Sequence, residues 1–150
     1  MSIIIYSPIT GKLVPIESVS DPVFSEKMLG DGVAILPEEG VVLAPASGTI
    51  SALPASGHAF GMILAPGVEL LVHVGIDTVD MNGQGFTLLA AKDQHIETGQ
   101  RMIEFSIDAI KAAGKDTISP VVLIGAEINV LAKDHIEAGE PLFEIIGVEL

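Results

Sequence analysis

Residues Val68-Glu69-Leu70-Leu71-Val72-His73-Val74-Gly75-Ile76-Asp77-Thr78-Val79 decide how this chain is read. Aliphatic residues dominate from Val68 to Val74 and stop at a glycine, which is the pattern of a strand running into a turn. Side chains alternate across a strand, so Leu71, His73 and Gly75 are expected on one face and Leu70, Val72 and Val74 on the other. An imidazole in so apolar a run is either a core histidine bonded to backbone or one half of a site. Which of the two it is depends on its neighbours.

The preceding segment, Ser56-Gly57-His58-Ala59-Phe60-Gly61-Met62-Ile63-Leu64, supplies a candidate neighbour. Between the two runs stands Ala65-Pro66-Gly67, where proline fixes φ and glycine tolerates positive φ, so the tripeptide reads as a hairpin tip with antiparallel strands on either side. A four-residue loop over residues 64–67 pairs Ile63 with Val68. Counting outward then sets His58 directly opposite His73 on the same face, with β-carbons about 5 Å apart. A one-residue change in loop length makes them diagonal neighbours, still within reach. Two imidazoles and the hydroxyl of Ser56 are expected to share one patch.

Composition sets the frame. With 150 residues and 49% hydrophobic content the chain suffices for one core, and a single domain over residues 1–150 is expected. No apolar run reaches the eighteen or so residues of a membrane span, and Met1-Ser2-Ile3-Ile4-Ile5-Tyr6 lacks the basic start and cleavage site of a secretory signal, so a cytosolic protein is expected. Without cysteine there is no disulfide framework, thiolate nucleophile or cysteine metal site. A formal net charge of −13, with seven Lys and Arg, repels nucleic acid and anionic membrane, and it speeds encounter with a basic protein surface.

Short apolar runs punctuated by 16 Gly and 9 Pro make the chain mainly β. Residues 3–6 and 13–16 read as an opening hairpin around 7–12, residues 18–32 as irregular, and 33–36, 41–43 and 49–53 as short strands. Helix is expected over 108–113, with Asp108 as N-cap and Gly114 as C-cap, and 125–130 is a second helical candidate. Residues 78–81 suit one short turn. An internal repeat aligns 91–105 with 132–145 on His-Ile-Glu-x-Gly, a duplicated β unit within one domain. His95 and His135 fall in the polar turns of these copies and read as solvated residues.

The chemistry narrows by elimination. No G-x-S-x-G occurs for a serine hydrolase, and Gly30-Asp31-Gly32 and Gly83-Gln84-Gly85 lack the lysine of a P-loop, so both read as turns. A zinc site on His58 and His73 needs further ligands, for which Asp21 or Asp77 are candidates, but there is no H-E-x-x-H. Lys92 and Lys133 stand in Ala-Lys-Asp, poor positions for a biotin or lipoyl acceptor. Two imidazoles without metal or organic cofactor are suited to accepting and stabilising a phosphoryl group, because neutral imidazole is nucleophilic and a neighbouring N–H binds anionic oxygens.

These residues carry a family resemblance. Leu71-Val72-His73-Val74-Gly75-Ile76-Asp77-Thr78-Val79, with Gly83-Gln84-Gly85-Phe86, Gly57-His58-Ala59-Phe60, Asp21-Pro22-Val23-Phe24, Gly30-Asp31-Gly32 and Ala44-Pro45-Ala46-Ser47-Gly48-Thr49, resembles the glucose-type IIA component of the bacterial phosphoenolpyruvate-dependent sugar phosphotransferase system. The resemblance covers nearly the whole chain. It implies an all-β fold, a compact antiparallel sandwich or barrel with an internal duplication and one or two short helices. It further implies a phosphorelay, in which the phosphocarrier protein HPr donates to His73 through Nε2, and His73 passes the group to a cysteine of a IIB domain serving the membrane IIC component.

On the same resemblance His58 is the companion that binds the phosphoryl group, and Ser56 is the hydroxyl bonded to that companion. Asp21 and Asp77 are the acidic pair that meets an arginine of the carrier protein, and Val23, Phe24 and Leu71 form an apolar docking ring. Regulated enzymes or transporters are further possible partners. Gly57 departs from the usual Asn or Lys and Pro54 from a frequent aromatic, so a flatter or more mobile rim is expected, with the transfer itself untouched. Two readings from other classes stand against this one: a zinc-dependent cell-wall endopeptidase, and a regulatory module that docks without transfer.

Overall fold

Valine- and isoleucine-rich runs cut by turn residues build strands and little else in the computed structural model, which describes residues 3–147. The strands are β1 (Ile3–Tyr6), β2 (Gly11–Pro15), β3 (Asp31–Pro37), β4 (Val41–Leu43), β5 (Gly48–Ala52), β6 (Ala59–Ala65), β7 (Val68–His73), β8 (Phe86–Leu88), β9 (His95–Ile96), β10 (Arg101–Phe105), β11 (Ser119–Ile124), β12 (Glu127–Val130), β13 (His135–Ile136) and β14 (Pro141–Ile146). Two α-helices, α1 (Pro22–Ser25) and α2 (Ile107–Ala112), and 3-10 turns at Ile16–Ser18 and Thr78–Met81 complete the described chain.

All pairings are antiparallel, in an eight-stranded sheet ordered β13-β2-β3-β11-β7-β6-β5-β9 and two three-stranded sheets, β1-β14-β12 and β4-β10-β8. The inward face of the large sheet, with Leu70, Val72, Phe60, Met62, Ile35 and Val121, packs on Ile5, Val42, Ile103 and Phe143 of the small ones, giving one sandwich core of nearly fully buried side chains. Each such side chain contributes roughly 1.5–3 kcal/mol by leaving water.

The order of the large sheet is palindromic about its centre, and the duplication expected from residues 91–105 and 132–145 reaches further than that repeat. Gly11 pairs with Ile136 and Lys12 with His135, just as Gly48 pairs with Ile96 and Thr49 with His95. Ser7 N donates to Glu140 O and Ala44 N to Gln100 O, while Ala138 N meets Thr10 Oγ1 and Thr98 N meets Ser47 Oγ. The two halves therefore meet where Val72 pairs with Val121. Following the registers outward, Val122 takes the place of His73, and Asp31 that of His58.

Several sequence expectations fail, each for an identifiable reason. Residues 3–6 and 13–16 form no hairpin: β1 pairs with β14, and β2 with β3 and β13, because the intervening turn carries the chain from one layer to the other. Residues 125–130 are not helix; after the turn at Gly125, φ +94, they form β12 against β14. Helix α2 is capped by Ser106, whose Oγ accepts from Ala109 N at 3.1 Å, so Asp108 lies in the first turn rather than at the cap. The stretch 18–32 is not wholly irregular, since it holds α1 and the start of β3.

Candidate functional site

On β7 the alternation is realised as expected: Leu70 and Val72 are sealed in the core, while Leu71 and His73 lie half-buried on the outer face. The hairpin register is shifted by one residue. Ala65 pairs with Val68 across a tight Pro66-Gly67 turn, and an irregularity at Leu64 makes Ile63 pair with Glu69, so Ala59 rather than His58 stands opposite His73. In a regular strand that shift would send His58 to the other face. It does not, because β6 begins at Ala59 and His58 occupies the bend before it, after Gly57 at φ +72. The bend brings the two rings together, edge to face, with centroids 5.1 Å apart.

Each ring is oriented through Nδ1. His73 donates its Nδ1–H to the carbonyl of Gly75 at 2.6 Å, and because a carbonyl only accepts, the proton is fixed on Nδ1 and the Nε2 lone pair is left free. Ser56 Oγ and His58 Nδ1 are 2.5 Å apart; with the hydroxyl donating, Nε2 of His58 carries the proton. Burial, and after it the charge of His73, hold His58 below the ordinary imidazole value. Burial also lowers His73, against the Gly75 bond and the carboxylates of Asp21 and Asp77, which favour its protonation. Lowered below 6.5, both rings favour the neutral form at pH 7, in which His73 presents its Nε2 lone pair.

A second, smaller core roofs the outer face. Ile16, Val19, Phe24, Ala34, Ile76, Ile118 and Val122 pack there, with Leu71 at their margin. The roof is the connection between β2 and β3, far longer than its counterpart between β5 and β6. It carries Asp21, Val23 and Phe24 to the edge of His73. Asp21 caps α1, its carboxylate accepting from Val23 N at 3.0 Å. Phe24 is only 6% exposed and its ring centroid lies 5.4 Å from that of His73, whereas Val23 is 37% exposed. Asp77 holds a left-handed position, φ 60, at the head of the 3-10 turn and makes no capping bond with its side chain.

The structure thus brings together Ser56, His58, His73, Asp21, Asp77, Val23, Phe24 and Leu71. It leaves His95 and His135 on the edge strands β9 and β13, where they meet Glu97 at 3.0 Å and Glu38 at 2.8 Å. Among the described residues no group of three or more His, Cys, Asp or Glu is arranged to hold a metal ion, so the imidazole pair lacks a third protein ligand. Two clefts of about 630 Å³ each lie beside β2 and beside α2, and neither imidazole lines them. His58 is only 9% exposed, and His73 lies half-buried on the outer face. Sequence reasoning missed Gly75 as the acceptor that fixes the tautomer, and the buried hydroxyls behind it.

Residues 3–129 match the family model described as phosphoenolpyruvate-dependent sugar phosphotransferase system, EIIA 1. A solved structure of a glucose permease IIA from Mycoplasma capricolum superposes with a TM-score of 0.92 at 28% sequence identity, covering 96% of each chain. Among the described residues no helix is long and apolar enough to cross a membrane.

Proposed function

The chain belongs to the EIIA 1 family of the phosphoenolpyruvate-dependent sugar phosphotransferase system, and from that premise we propose that His73 is its phosphoryl acceptor and His58 the group that steadies the phosphoryl oxygens. The observation that carries this reading is the 2.6 Å bond from His73 Nδ1–H to Gly75 O, which leaves Nε2 as the nucleophilic nitrogen beside His58. The Nε2 lone pair attacks phosphorus on the phosphohistidine of HPr; the donor's N–P bond breaks and its electron pair returns to the donor ring. His58, oriented by Ser56, offers an N–H to the oxygens of the moving group. In the second step a thiolate of a IIB domain attacks phosphorus and the N–P bond to His73 breaks.

Little more than positioning and charge stabilisation is asked of the protein. Asp21 and Asp77 oppose retention of a dianionic group when no partner is present and pair with a carrier arginine on docking, while Val23 and Leu71 offer apolar surface and Phe24 supports it from beneath. The 150 residues act as one IIA domain, in the cytoplasm, beside a membrane permease.

Incubation with phosphoenolpyruvate, Enzyme I and HPr tests the reading. One phosphoryl group is expected by intact-mass measurement, absent in His73→Gln, whereas His58→Gln still accepts the group but passes it onward slowly. Equal loss of acceptance in both variants contradicts the division of roles.

A further inference from the structure

Among the described residues Thr78 and Ser119 are polar residues with fully inaccessible side chains, and both hydroxyls meet the same peptide unit. Thr78 Oγ1 donates to Val74 O at 2.6 Å, and Gly75 N donates to Ser119 Oγ at 3.2 Å while that hydroxyl donates to Thr117 O at 2.9 Å. The next peptide is pinned as well, Ile76 N donating to Asp116 O at 3.0 Å. Gly75 itself sits at φ +72, where a β-carbon would come within 2.6 Å of Thr78 Cγ2 and 2.8 Å of Asp116 O. Both peptides flanking Gly75 are therefore held at fixed orientations by groups from β11, the segment before it, and the 3-10 turn.

We infer that Thr78 and Ser119 are positioning residues that aim the Gly75 carbonyl at His73 and thereby select the Nδ1–H tautomer of its ring. The inference rests on the reading of His73 as the acceptor only for its consequence, not for its geometry. A carbonyl free to rotate accepts from Nδ1–H less well, and the ring then populates the other tautomer, in which Nε2 carries the proton and has no lone pair to offer. Two buried hydroxyls, from chain segments 41 residues apart, share the Val74–Gly75 peptide as their target, and with the Ile76 N–H held by Asp116 O they fix the chain on both sides of Gly75 and so the direction of its carbonyl. In the other half of the fold Val122 replaces His73, and no imidazole there needs orienting.

The test is ¹⁵N chemical-shift measurement of the His73 ring in the full chain. In the unaltered protein the Nδ1 shift is expected to be that of a protonated nitrogen and Nε2 that of a bare one. Thr78→Val and Ser119→Ala are expected to move the two shifts toward each other, and Thr78→Ser to keep them apart. Ser119→Cys, which keeps the site filled with a slightly larger and weaker acceptor, carries the same measurement where Ser119→Ala does not fold. Unchanged shifts in Thr78→Val and in whichever Ser119 variant folds overturn the inference. The rate of phosphoryl acceptance is expected to fall roughly five- to tenfold in step with the tautomer, the fold-change set by one ordinary hydrogen bond. A shifted tautomer with an unchanged rate upholds the clamp and counts against His73 as acceptor, so the two readings fail separately.

Discussion

The imidazoles of His58 and His73 meet edge to face with centroids 5.1 Å apart, close enough that protonating one penalises protonating the other. Burial is the larger cause at His58 and the depressing one at His73, where it outweighs the Gly75 bond, Asp21 and Asp77, so both lie below the ordinary value of 6.5. Well above pH 6.5 folded and unfolded chains both hold these rings neutral, and there the pair adds no pH dependence. As pH falls below 6.5 the unfolded chain takes up protons that the folded chain refuses, and stability drops until the folded values are reached. NMR titration of the ring protons is expected to give midpoints below 6.5 for both. A His73 midpoint at or above 6.5 contradicts this, and it would mean that Asp21, Asp77 and the Gly75 bond outweigh burial.

Gly75→Ala asks a β-carbon to occupy a left-handed position already filled by Thr78 and the Asp116 carbonyl. The conformation alone disfavours alanine by about 1–2 kcal/mol, and the overlap with backbone raises this. A loss of at least about 2 kcal/mol is expected from the denaturant midpoint, with loss of phosphoryl acceptance. Gly67→Ala, also at positive φ but with open space around it, is the control; it is expected to show the conformational penalty alone.

Ser56→Ala removes the partner of His58 Nδ1 without opening the core, since Ser56 is only partly buried. Folding is expected to change little. Onward transfer to a IIB thiolate is expected to slow by about tenfold, as the hydrogen bond that keeps the His58 N–H aimed at the moving group's charged oxygens is lost. Ser56→Thr is expected to restore it. Unaltered transfer in Ser56→Ala would show that His58 is oriented by packing instead.

Much of this site was legible because its parts are local in sequence. The alternation of residues 68–73 and the Pro66-Gly67 tip placed both histidines within reach, and the off-by-one register came from a bulge at Leu64 that no residue type announces. Illegible were contacts made by tertiary folding alone. Ser119 lies 44 residues from Gly75, and β1 finds β14 across nearly the whole chain, so turn chemistry at residues 7–12 suggested the wrong partner. The duplication was visible only where composition had been retained. The sequences of β7 and β11 have diverged, with His73 in one half and Val122 in the other.

Asp21 and Asp77 combine backbone and electrostatic work, and substitutions separate the two. Asn at position 21 can still accept from Val23 N, so Asp21→Asn is expected to leave folding intact while Asp21→Ala costs about 1 kcal/mol through the lost cap. Asn also tolerates the left-handed backbone of Asp77, whereas Asp77→Ala adds strain. Both Asn variants remove a carboxylate that favours protonated His73, so its midpoint is expected to fall further below 6.5. Association with HPr is expected to weaken and to lose part of its salt dependence, measured by titration at two ionic strengths.

Val23 and Phe24 are adjacent in α1 yet face different surroundings, and their substitutions should divide accordingly. Phe24 is 6% exposed, packed among Ile16, Val19 and Val122 and tilted against His73, so Phe24→Ala is expected to cost about 3–5 kcal/mol. By opening the roof it admits water to His73, and the ring's midpoint is expected to rise toward 6.5 as the desolvation that depresses it is relieved. Val23, 37% exposed, has less apolar area to lose, and Val23→Ser is expected to change stability by less than about 1 kcal/mol. Its effect should appear as weaker binding of HPr with an unaltered His73 midpoint. If Phe24→Ala leaves both stability and the His73 midpoint in place while binding falls, Phe24 serves docking directly, and the roof over the outer face is held by Ile16 and Val19 without it.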